Sequence, residues 1–372
     1  MDEPGRTEPH LGQNPYAYPT AIAPDTPPAG AASAAQTVYP VEFTATAGEY
    51  FRIWIVNLAL TILTLGIYSA WAKVRKKRYF YGHTLIDGDS FDYRANPVAI
   101  LKGRLIAFAL FAAYTFGGKI SPLIGGLFAL VLVFAVPWFI VRSLAFNAHN
   151  SAYRNIRFNF RGAYKELLKI MIGGGILVIV SLGTGYPYLK ARLVRFAASY
   201  HSYGTSSFEL DRITKSLYGV YLKAFGLAIL GFSVIGTGAA VLGIFKGARG
   251  GMSAGILLFM AGIYLTYLLV FAYAHARTTN VTLNALAVGP LRFTSTLGAR
   301  DLAGIYLVNI IAIILTLGLA TPWAVVCTMR YRTRKTTLIA AGSLADFVGT
   351  QTGNVSATGE EVGEMFGFDF GL

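Results

Sequence analysis

The sequence predicts an all-α polytopic membrane protein with about seven hydrophobic helices, internal repeats of a kinked helix, and short β-hairpins at the membrane surface. Hydrophobic residues make up 54% of the 372 positions and charged residues only 13%, whereas soluble domains carry about 25% charge. Seven apolar runs are long enough, or nearly so, to cross a bilayer. One short motif occurs three times, and each copy closes an apolar run.

The seven apolar runs are the predicted membrane spans. They lie at 51–72, 105–118, 120–141, 167–189, 217–245, 253–274 and 302–327. A hydrocarbon core of about 30 Å needs roughly 20 helical residues, so 105–118 is the shortest candidate. It becomes a full span if the helix begins near Pro97, because Lys102 and Arg104 can extend their charges back to the interface.

The repeated motif reads TLGIYSAW from Thr64, SLGTGYPY from Ser181 and TLGLATPW from Thr316. Matching positions around each copy carry an acid, a glycine, an aromatic residue and an arginine, and two copies share an asparagine. These candidate structural or functional positions are Glu49, Asn57, Gly66, Trp71 and Arg78 in the first copy, Glu166, Gly183, Tyr188 and Arg195 in the second, and Asp301, Asn309, Gly318, Trp323 and Arg330 in the third. Their equal spacings predict an internal repeat.

The motif also predicts local structure. Its glycines, followed in two copies by Pro187 and Pro322, predict that each helix kinks or ends at the motif. An asparagine within an apolar helix must find a hydrogen-bond partner, so we expect Asn57 and Asn309 to bind across a helix interface.

The elements around the motif define the predicted domain organisation. A segment of alternating apolar residues, typical of a half-buried strand, precedes each copy at 41–46, 156–160 and 291–296. Asp87-Gly88 and Gly204-Thr205 predict hairpins after the first two copies, and Ala341-Gly342 is the turn signal after the third.

The predicted regions are a disordered Pro/Ala-rich tail at 1–40, repeat unit 1 at 41–155, repeat unit 2 at 156–290, a partial unit 3 at 291–348, and an acidic Gly-rich tail at 349–372.

Two topologies fit the motif. The 29 residues from each acid to the matching arginine would form about 43 Å of continuous helix, which suits a full crossing and favours seven spans. However, five basic residues flank the middle element on each side, and spanning would place one set outside, against the positive-inside rule. Re-entrant hairpins would keep every basic stretch cytoplasmic and would allow acid and arginine to pair at one surface.

Charge and motif content narrow the class of function. The net charge of +14 arises among apolar runs, which indicates cytoplasmic loops and anionic lipid headgroups as partners rather than nucleic acid. The five histidines form no metal-ligand spacing, and no catalytic or nucleotide-binding motif appears. We therefore predict no enzyme activity, no catalytic residues, no cofactor and no metal site.

Two functional hypotheses follow from these patterns. Helix breaks in corresponding positions of repeats are typical of transport sites, so the first is a channel or transporter for an unidentified solute. No charge lies in the middle of a span, which disfavours proton coupling. The alternative is a membrane scaffold or lipid-organising protein without transport or catalysis, whose basic belts bind anionic headgroups and whose copies could form a homo-oligomer.

One segment carries a resemblance to a known family. Residues 56–79, VNLALTILTLGIYSAWAKVRKKRY, resemble the YjgN family of bacterial inner-membrane proteins, which is built on a domain of unknown function numbered 898. The likeness continues through Gly88, Phe91 and Tyr93 and recurs in weaker form to about residue 348. It implies a multi-pass protein of the inner (plasma) membrane in a Gram-negative bacterium. It implies no activity, so no functional residue is carried over.

Overall fold

A computed structural model describes residues 36–241 and 254–351. These residues form ten strands and ten long helices. In chain order they are β1 Gln36–Phe43, α1 Ala47–Leu63, α2 Ser69–Gly82, β2 Thr84–Ile86, β3 Asp89–Tyr93, α3 Pro97–Ile120, α4 Pro122–His149, β4 Ser151–Tyr153, β5 Ile156–Phe160, α5 Tyr164–Val180, α6 Tyr186–Ser199, β6 His201–Tyr203, β7 Ser206–Leu210, α7 Thr214–Val241, α8 Ala254–Asn284, β8 Leu286–Val288, β9 Leu291–Ser295, α9 Ala299–Leu315, α10 Thr321–Arg334 and β10 Thr336–Ala341. A further helix, the closing helix, covers 344–351.

The elements follow one order five times: a strand, two helices and a strand. The first, third and fifth units have short helix pairs of 17 and 14 residues. The second unit has helices of 24 and 28 residues, and the fourth has helices of 28 and 31 residues. Short and long helix pairs therefore alternate along the chain until the fifth unit meets the first.

The strands form a closed antiparallel barrel in the order β1-β10-β9-β8-β7-β6-β5-β4-β3-β2. Asp87-Gly88 and Arg154-Asn155 make two of the tight turns, and both residues of each turn have positive φ, as this hairpin turn requires. The closing pair joins β1 to β10, with Gln36 opposite Ala341. Because neighbouring strands alternate in direction, all tight turns lie at one end of the barrel and all helix pairs leave from the other end, which we call the base of the helices.

Apolar side chains fill the barrel. One cluster joins Ile86, Tyr153 and Val288 on the strands to Leu344 and Phe347 on the closing helix. The closing helix also bonds the tight-turn end, since Gln351 accepts from the Thr205 N–H at 2.8 Å and donates to Ser206 Oγ at 2.9 Å. The barrel is thus closed at its turn end by a helix of its own chain.

Alkaline pH is expected to weaken the barrel, because two interior tyrosines resist ionisation. Tyr153 donates to the Ile86 carbonyl at 2.7 Å, and Tyr203 donates to the Tyr153 carbonyl at 3.1 Å. Burial raises the pKa of Tyr153 to about 12 and also raises that of Tyr203, from about 10 in an unfolded chain. The unfolded state loses these protons first, so the stabilisation is complete below about pH 10 and is lost as the pH rises through about 12.

The measurement is the melting temperature of the detergent-solubilised protein from about pH 9 to about pH 12. This range includes the tyrosine pKa of about 10 in the unfolded chain and reaches the pKa of about 12 of Tyr153 in the folded protein. We expect a steeper fall for the native chain than for the Tyr153→Phe variant. Full tyrosinate absorbance near pH 10 in the folded protein would contradict this expectation.

The helices form a ring above the barrel. Each helix packs on the helices before and after it along the chain, and α10 packs on α1. Within the part of the chain that the structure describes, four helical segments are long and apolar enough to cross a membrane: α3, α4, α7 and the part of α8 from Gly255 to Asn284. The remaining six helices form the three short pairs.

The predicted fold class is wrong in two respects. The protein is not all-α with isolated hairpins, because its strands close into one ten-stranded barrel. Nor does it have about seven spanning helices, since the described residues contain four candidate spans. The predicted runs 51–72, 167–189 and 302–327 each fold as two helices joined by a tight turn.

Those three turns fall within continuous apolar runs, at the motif glycines where the sequence predicts a kink or an end of the helix. In the first turn, Leu65 and Gly66 have φ of 49° and 92°, and the Gly66 N–H donates to the Thr61 carbonyl at 2.7 Å. Gly183 and Gly318 make the same turn after Leu182 and Leu317. The three leucines are 95%, 93% and 94% exposed. A turn at membrane depth carries apolar residues instead of polar ones, so composition does not distinguish it from a continuing helix.

Parts of the predicted regions lie outside the described residues, namely 1–35 and 352–372 of the two tails and 242–253 between α7 and α8. Residues 36–40 of the predicted amino tail belong to β1, and 349–351 of the predicted carboxyl tail belong to the closing helix.

Candidate functional site at the base of the helix ring

The second helix of each unit faces the axis of the ring. Lys77 on α2 donates to Asn147 Oδ1 on α4 at 2.5 Å, although α3 lies between these helices in the chain. The positive charges of Lys190 on α6 and Arg332 on α10 both act on the imidazole of His275 on α8. Side chains from alternate helices therefore converge. We call α2, α4, α6, α8 and α10 the inner helices and the other five the outer helices.

The converging side chains occupy matching positions. Their positions are counted back from the first residue of the strand that follows each inner helix. Three residues stand eleven positions before that strand: Lys73, Lys190 and His275. Lys77 stands seven positions before it, and Asn147 and Arg332 stand four positions before it. Residues three and four apart lie on one face of a helix. We call Lys73, Lys77, Asn147, Lys190, His275 and Arg332 the inner-face residues.

Charge is separated between the two sets of helices. Within the described residues the inner helices contain no acid, and the acids of the outer helices are Glu49, Glu166 and Asp301. Lys77 packs over the Tyr93 ring, 4.6 Å from its centroid. Burial lowers the pKa of Lys77, and the charge of Lys73 lowers it further. The inner face is thus a positive surface without acids to neutralise it.

The predicted acids bind tyrosines of their own helix pair instead of arginines. Tyr79 donates to Glu49 Oε2 and Tyr331 to Asp301 Oδ2, both at 3.0 Å, and Tyr200 donates to Glu166. Tyrosine has an ordinary pKa of about 10 and is a neutral donor at physiological pH, and burial raises the pKa of Tyr79 and of Tyr331 further. Each short helix pair is therefore joined at its base by an acid and a tyrosine.

Two of the predicted arginines join neighbouring units. Arg78 Nε donates to the Tyr93 carbonyl at 3.1 Å, and Arg330 Nη2 donates to the Ala45 carbonyl at 2.8 Å. Each acceptor lies shortly before the outer helix of the next unit. Arg195 occupies the matching place on α6 and is half-buried, but it makes no such bond within the described residues. These arginines position units around the ring.

The predicted asparagines lie inside their helix pairs. Asn309 Nδ2 donates to the Ala324 carbonyl at 3.2 Å and to Thr328 Oγ1 at 3.0 Å, both on α10. Asn57 is buried on α1. Gly174 holds the matching place in the middle pair, where the Leu189 side chain fills the space.

The other predicted positions lie at the opposite end of the short helix pairs from the barrel. Gly66, Gly183 and Gly318 form the tips of the short helix pairs. Trp71, Tyr188 and Trp323 stand near the start of the inner helices, just beyond these tips, and Trp71 stacks on Tyr68 with centroids 6.1 Å apart. The fourteen predicted residues are therefore distributed over tips, helix pairs and base, and do not form one site.

Sequence analysis missed the inner-face residues as a set. Lys73 and Lys190 each stand seven residues after the motif glycine, so the repeat contained part of the signal. His275 lies in a unit without the motif, and only counting from the following strand aligns it with them.

The fold and its charge distribution define the class of protein. Candidate spans and apolar helix-pair tips extend from one end of a barrel, and basic residues gather at their base, so this is a multi-pass membrane protein. The chain belongs to the family described as "Bacterial protein of unknown function (DUF898)", which matches residues 38–365.

Relatives within the family carry the name inner membrane protein YjgN. The Salmonella typhimurium protein (strain LT2) is 24% identical over 330 residues, which cover 76% of this chain and 83% of the relative. The Escherichia coli O157:H7 protein is 27% identical over 179 residues, covering 48% of this chain and 43% of the relative. The Escherichia coli K12 protein is 30% identical over 143 residues, covering 38% and 36%. No solved structure matches this chain.

The predicted resemblance and the predicted inner-membrane location are thereby confirmed.

Proposed function

We propose that this protein is a channel or transporter for an anionic solute, with the inner-face residues as its binding surface. The observation that carries the proposal is the charge of the inner helices, which within the described residues contain no acid and present Lys190, Arg332, Lys73 and Lys77 at matching positions. Lys73 and Lys77 share one face of α2. Positive groups brought together without acids repel one another, which costs stability unless an anion is bound.

The barrel would be the cytoplasmic closure of this pathway. The described basic residues concentrate at the base of the helices, and the positive-inside rule places that end in the cytoplasm. The barrel is filled by apolar side chains and closed by the helix 344–351, so the described conformation is closed on that side. Passage of a solute would require the barrel interior or the closing helix to move.

We also infer that the five units are structural repeats of one ancestral element. Their common element order and the matching inner-face positions support this inference. Transport sites in membrane proteins commonly lie where such repeats meet.

The test is anion flux in proteoliposomes containing the full chain. Vesicles loaded with chloride, sulfate, phosphate or succinate are compared with empty vesicles. A Lys190→Gln/His275→Gln/Arg332→Gln variant is expected to lower flux by about tenfold or more, since each lost charge-assisted contact can cost more than 1 kcal/mol. Arg192→Gln removes one charge from the opposite face of α6 and should leave flux unchanged.

Flux equal to that of empty vesicles for every anion would refute the proposal. So would an equal loss in the Arg192→Gln control, because the effect would then report surface charge instead of the inner face.

The second candidate is a membrane scaffold or lipid-organising protein, which the exposed leucine tips favour. Leu65, Leu182 and Leu317 extend apolar turns from three of the five units, and such turns bind hydrocarbon irrespective of transport. Basic residues such as Arg75, Lys76 and Lys77 would bind anionic headgroups, and copies could associate as a homo-oligomer. Replacing these three by glutamine should then reduce the anionic lipid that copurifies, whereas unchanged lipid would count against this candidate.

A further inference from the structure

A polar groove lies on the outer side of the fourth unit. It is a cavity of about 620 Å³ between the start of α7, the end of α8 and the link from β9 to α9. Its polar and charged lining includes Asp211, Arg212, Ser216, Arg277, Asn284 and Thr296. Arg277 stands two residues from His275 on α8 and therefore points to the other side of the helix, away from the inner face.

Hydrogen bonds fix the floor of the groove. Asn280 Nδ2 donates to the Leu297 carbonyl at 3.0 Å, while Asn280 Oδ1 accepts from Ser295 Oγ at 2.8 Å and from the Leu297 N–H at 2.9 Å. The Ser295 N–H donates to Asn284 Oδ1 at 2.6 Å, and the Asp211 N–H donates to the Ala285 carbonyl at 3.0 Å. All three segments that line the groove are thus joined by hydrogen bonds, which positions its charged side chains.

The charged groups of the groove are available to a ligand. Arg212 and Arg277 are exposed, and within the described residues neither has an ion-pair partner. Asp211 approaches Arg292 only to 4.0 Å, and both of these side chains are largely exposed. Such a pair contributes little in water, so the carboxylate of Asp211 remains free to bind a cation.

Two candidate spans would place the groove at the level of the lipid headgroups. α7 and α8 are both candidate spans, and the groove is lined by the first residues of α7 and the last residues of α8, where they meet the barrel. A ligand in this place would reach the apolar surface of α7, where Leu222 and Phe225 are exposed. A molecule with a polar headgroup and an apolar tail suits both parts.

We propose that this groove binds a glycerophospholipid whose headgroup carries a primary ammonium beside its phosphate. Arg212 and Arg277 would hold the phosphate, because the planar guanidinium donates paired hydrogen bonds to phosphate oxygens. Asp211 would accept hydrogen bonds from the ammonium. A headgroup that is only anionic would place a second negative charge or a hydroxyl beside Asp211, which favours the zwitterionic lipid.

Asp211 distinguishes this groove from the matching places in other units. Arg277 stands nine residues before the strand that follows its helix. The same position in the first, second and third units is also an arginine, namely Arg75, Arg142 and Arg192, whereas the fifth unit has Cys327 there. The link before α7 combines Asp211 with Arg212, whereas the links before α1, α3, α5 and α9 contain no acid. The proposed headgroup chemistry therefore belongs to the fourth unit.

The experiment measures lipid bound to the full-length protein after delipidation in detergent, by native mass spectrometry. The probes are dioleoyl phosphatidylethanolamine, phosphatidylglycerol and phosphatidylcholine, together with water-soluble glycerophosphoethanolamine. We expect the ethanolamine lipid to bind most tightly and the Arg212→Gln/Arg277→Gln variant to bind it about tenfold more weakly. Asp211→Asn should abolish the preference for the ethanolamine headgroup over the glycerol headgroup. Arg52→Gln, an exposed arginine on α1, is the matched control and should leave binding unchanged.

Equal binding of the three lipids by the native chain would overturn the proposal, as would an Asp211→Asn variant with unchanged headgroup preference. If glycerophosphoethanolamine bound as tightly as the lipid, the site would recognise a soluble phosphate ester and the assignment to bilayer lipid would be wrong.

Discussion

Cysteines introduced by Asn96→Cys and Ser207→Cys are expected to react with a membrane-impermeant thiol reagent only from the cytoplasmic face. Asn96 precedes α3, and Ser207 lies in β7, so both stand at the barrel end of the helices, and both are exposed. The three short helix pairs return to the barrel instead of crossing, which keeps both positions on one side. Single variants would be made in a Cys327→Ser background and labelled in intact cells and in inverted vesicles.

A matched variant and the rival topology make the result decisive. Lys119 lies at the far end of α3 and is exposed, so Lys119→Cys should react from the outside of intact cells. A chain with seven spans would place positions 96 and 207 on opposite faces, and one of them would then react from outside. That outcome would overturn the barrel-end arrangement of the helix pairs.

Local features of the fold were predictable from sequence because they depend on adjacent residues. Asp87-Gly88 indicated a hairpin turn, because this turn requires residues that tolerate positive φ. The segments 156–160 and 291–296 showed the alternating pattern of strands, and the structure has β5 and β9 there. Helix termination at Gly66, Gly183 and Gly318 was also foreseeable, since glycine readily adopts positive φ. In each case the residue type and the backbone conformation are directly linked.

The barrel was not predictable because its pairing is nonlocal and its strands are short. β2, β4, β6 and β8 have three residues each, too few to show an alternating pattern. β1 pairs with β10, and these two strands are separated by almost the whole described chain. β1 itself begins at Gln36, within a stretch whose Pro, Ala and Thr content indicates disorder.

The inner face was partly predictable, and the missing part has a specific cause. Lys73 and Lys190 are equally spaced from the motif glycine, but His275 and Asn147 belong to long helix pairs that lack the motif. Their alignment depends on the strand at the end of the helix, and that strand is recognisable only once the barrel is known. The outer groove has the same origin, because Asp211, Arg277 and Thr296 are distant in sequence and meet only through the fold.

Phe347→Ala is expected to destabilise the barrel strongly. Phe347 is buried on the closing helix, its ring stacks on Tyr203 with centroids 6.2 Å apart, and it lies against Gly289, where an added Cβ would come within 3.0 Å of it. Removing a buried phenylalanine side chain typically costs about 3–5 kcal/mol, from lost burial and from the cavity that remains. Glycine at position 289 leaves room for the ring and cannot fill the space once the ring is gone.

The closing helix offers a matched control at an exposed position. Asp346 is exposed and adjacent to Phe347, so Asp346→Ala changes the same helix without opening the barrel. We expect Phe347→Ala to lower the melting temperature in detergent and to speed proteolysis within 344–351, while Asp346→Ala leaves both near the native values. Equal melting temperatures for Phe347→Ala and the native chain would show that the closing helix does not stabilise the barrel. If Phe347→Ala instead remains folded and raises anion flux above the native level, the barrel interior lies on the proposed pathway and Phe347 helps to close it.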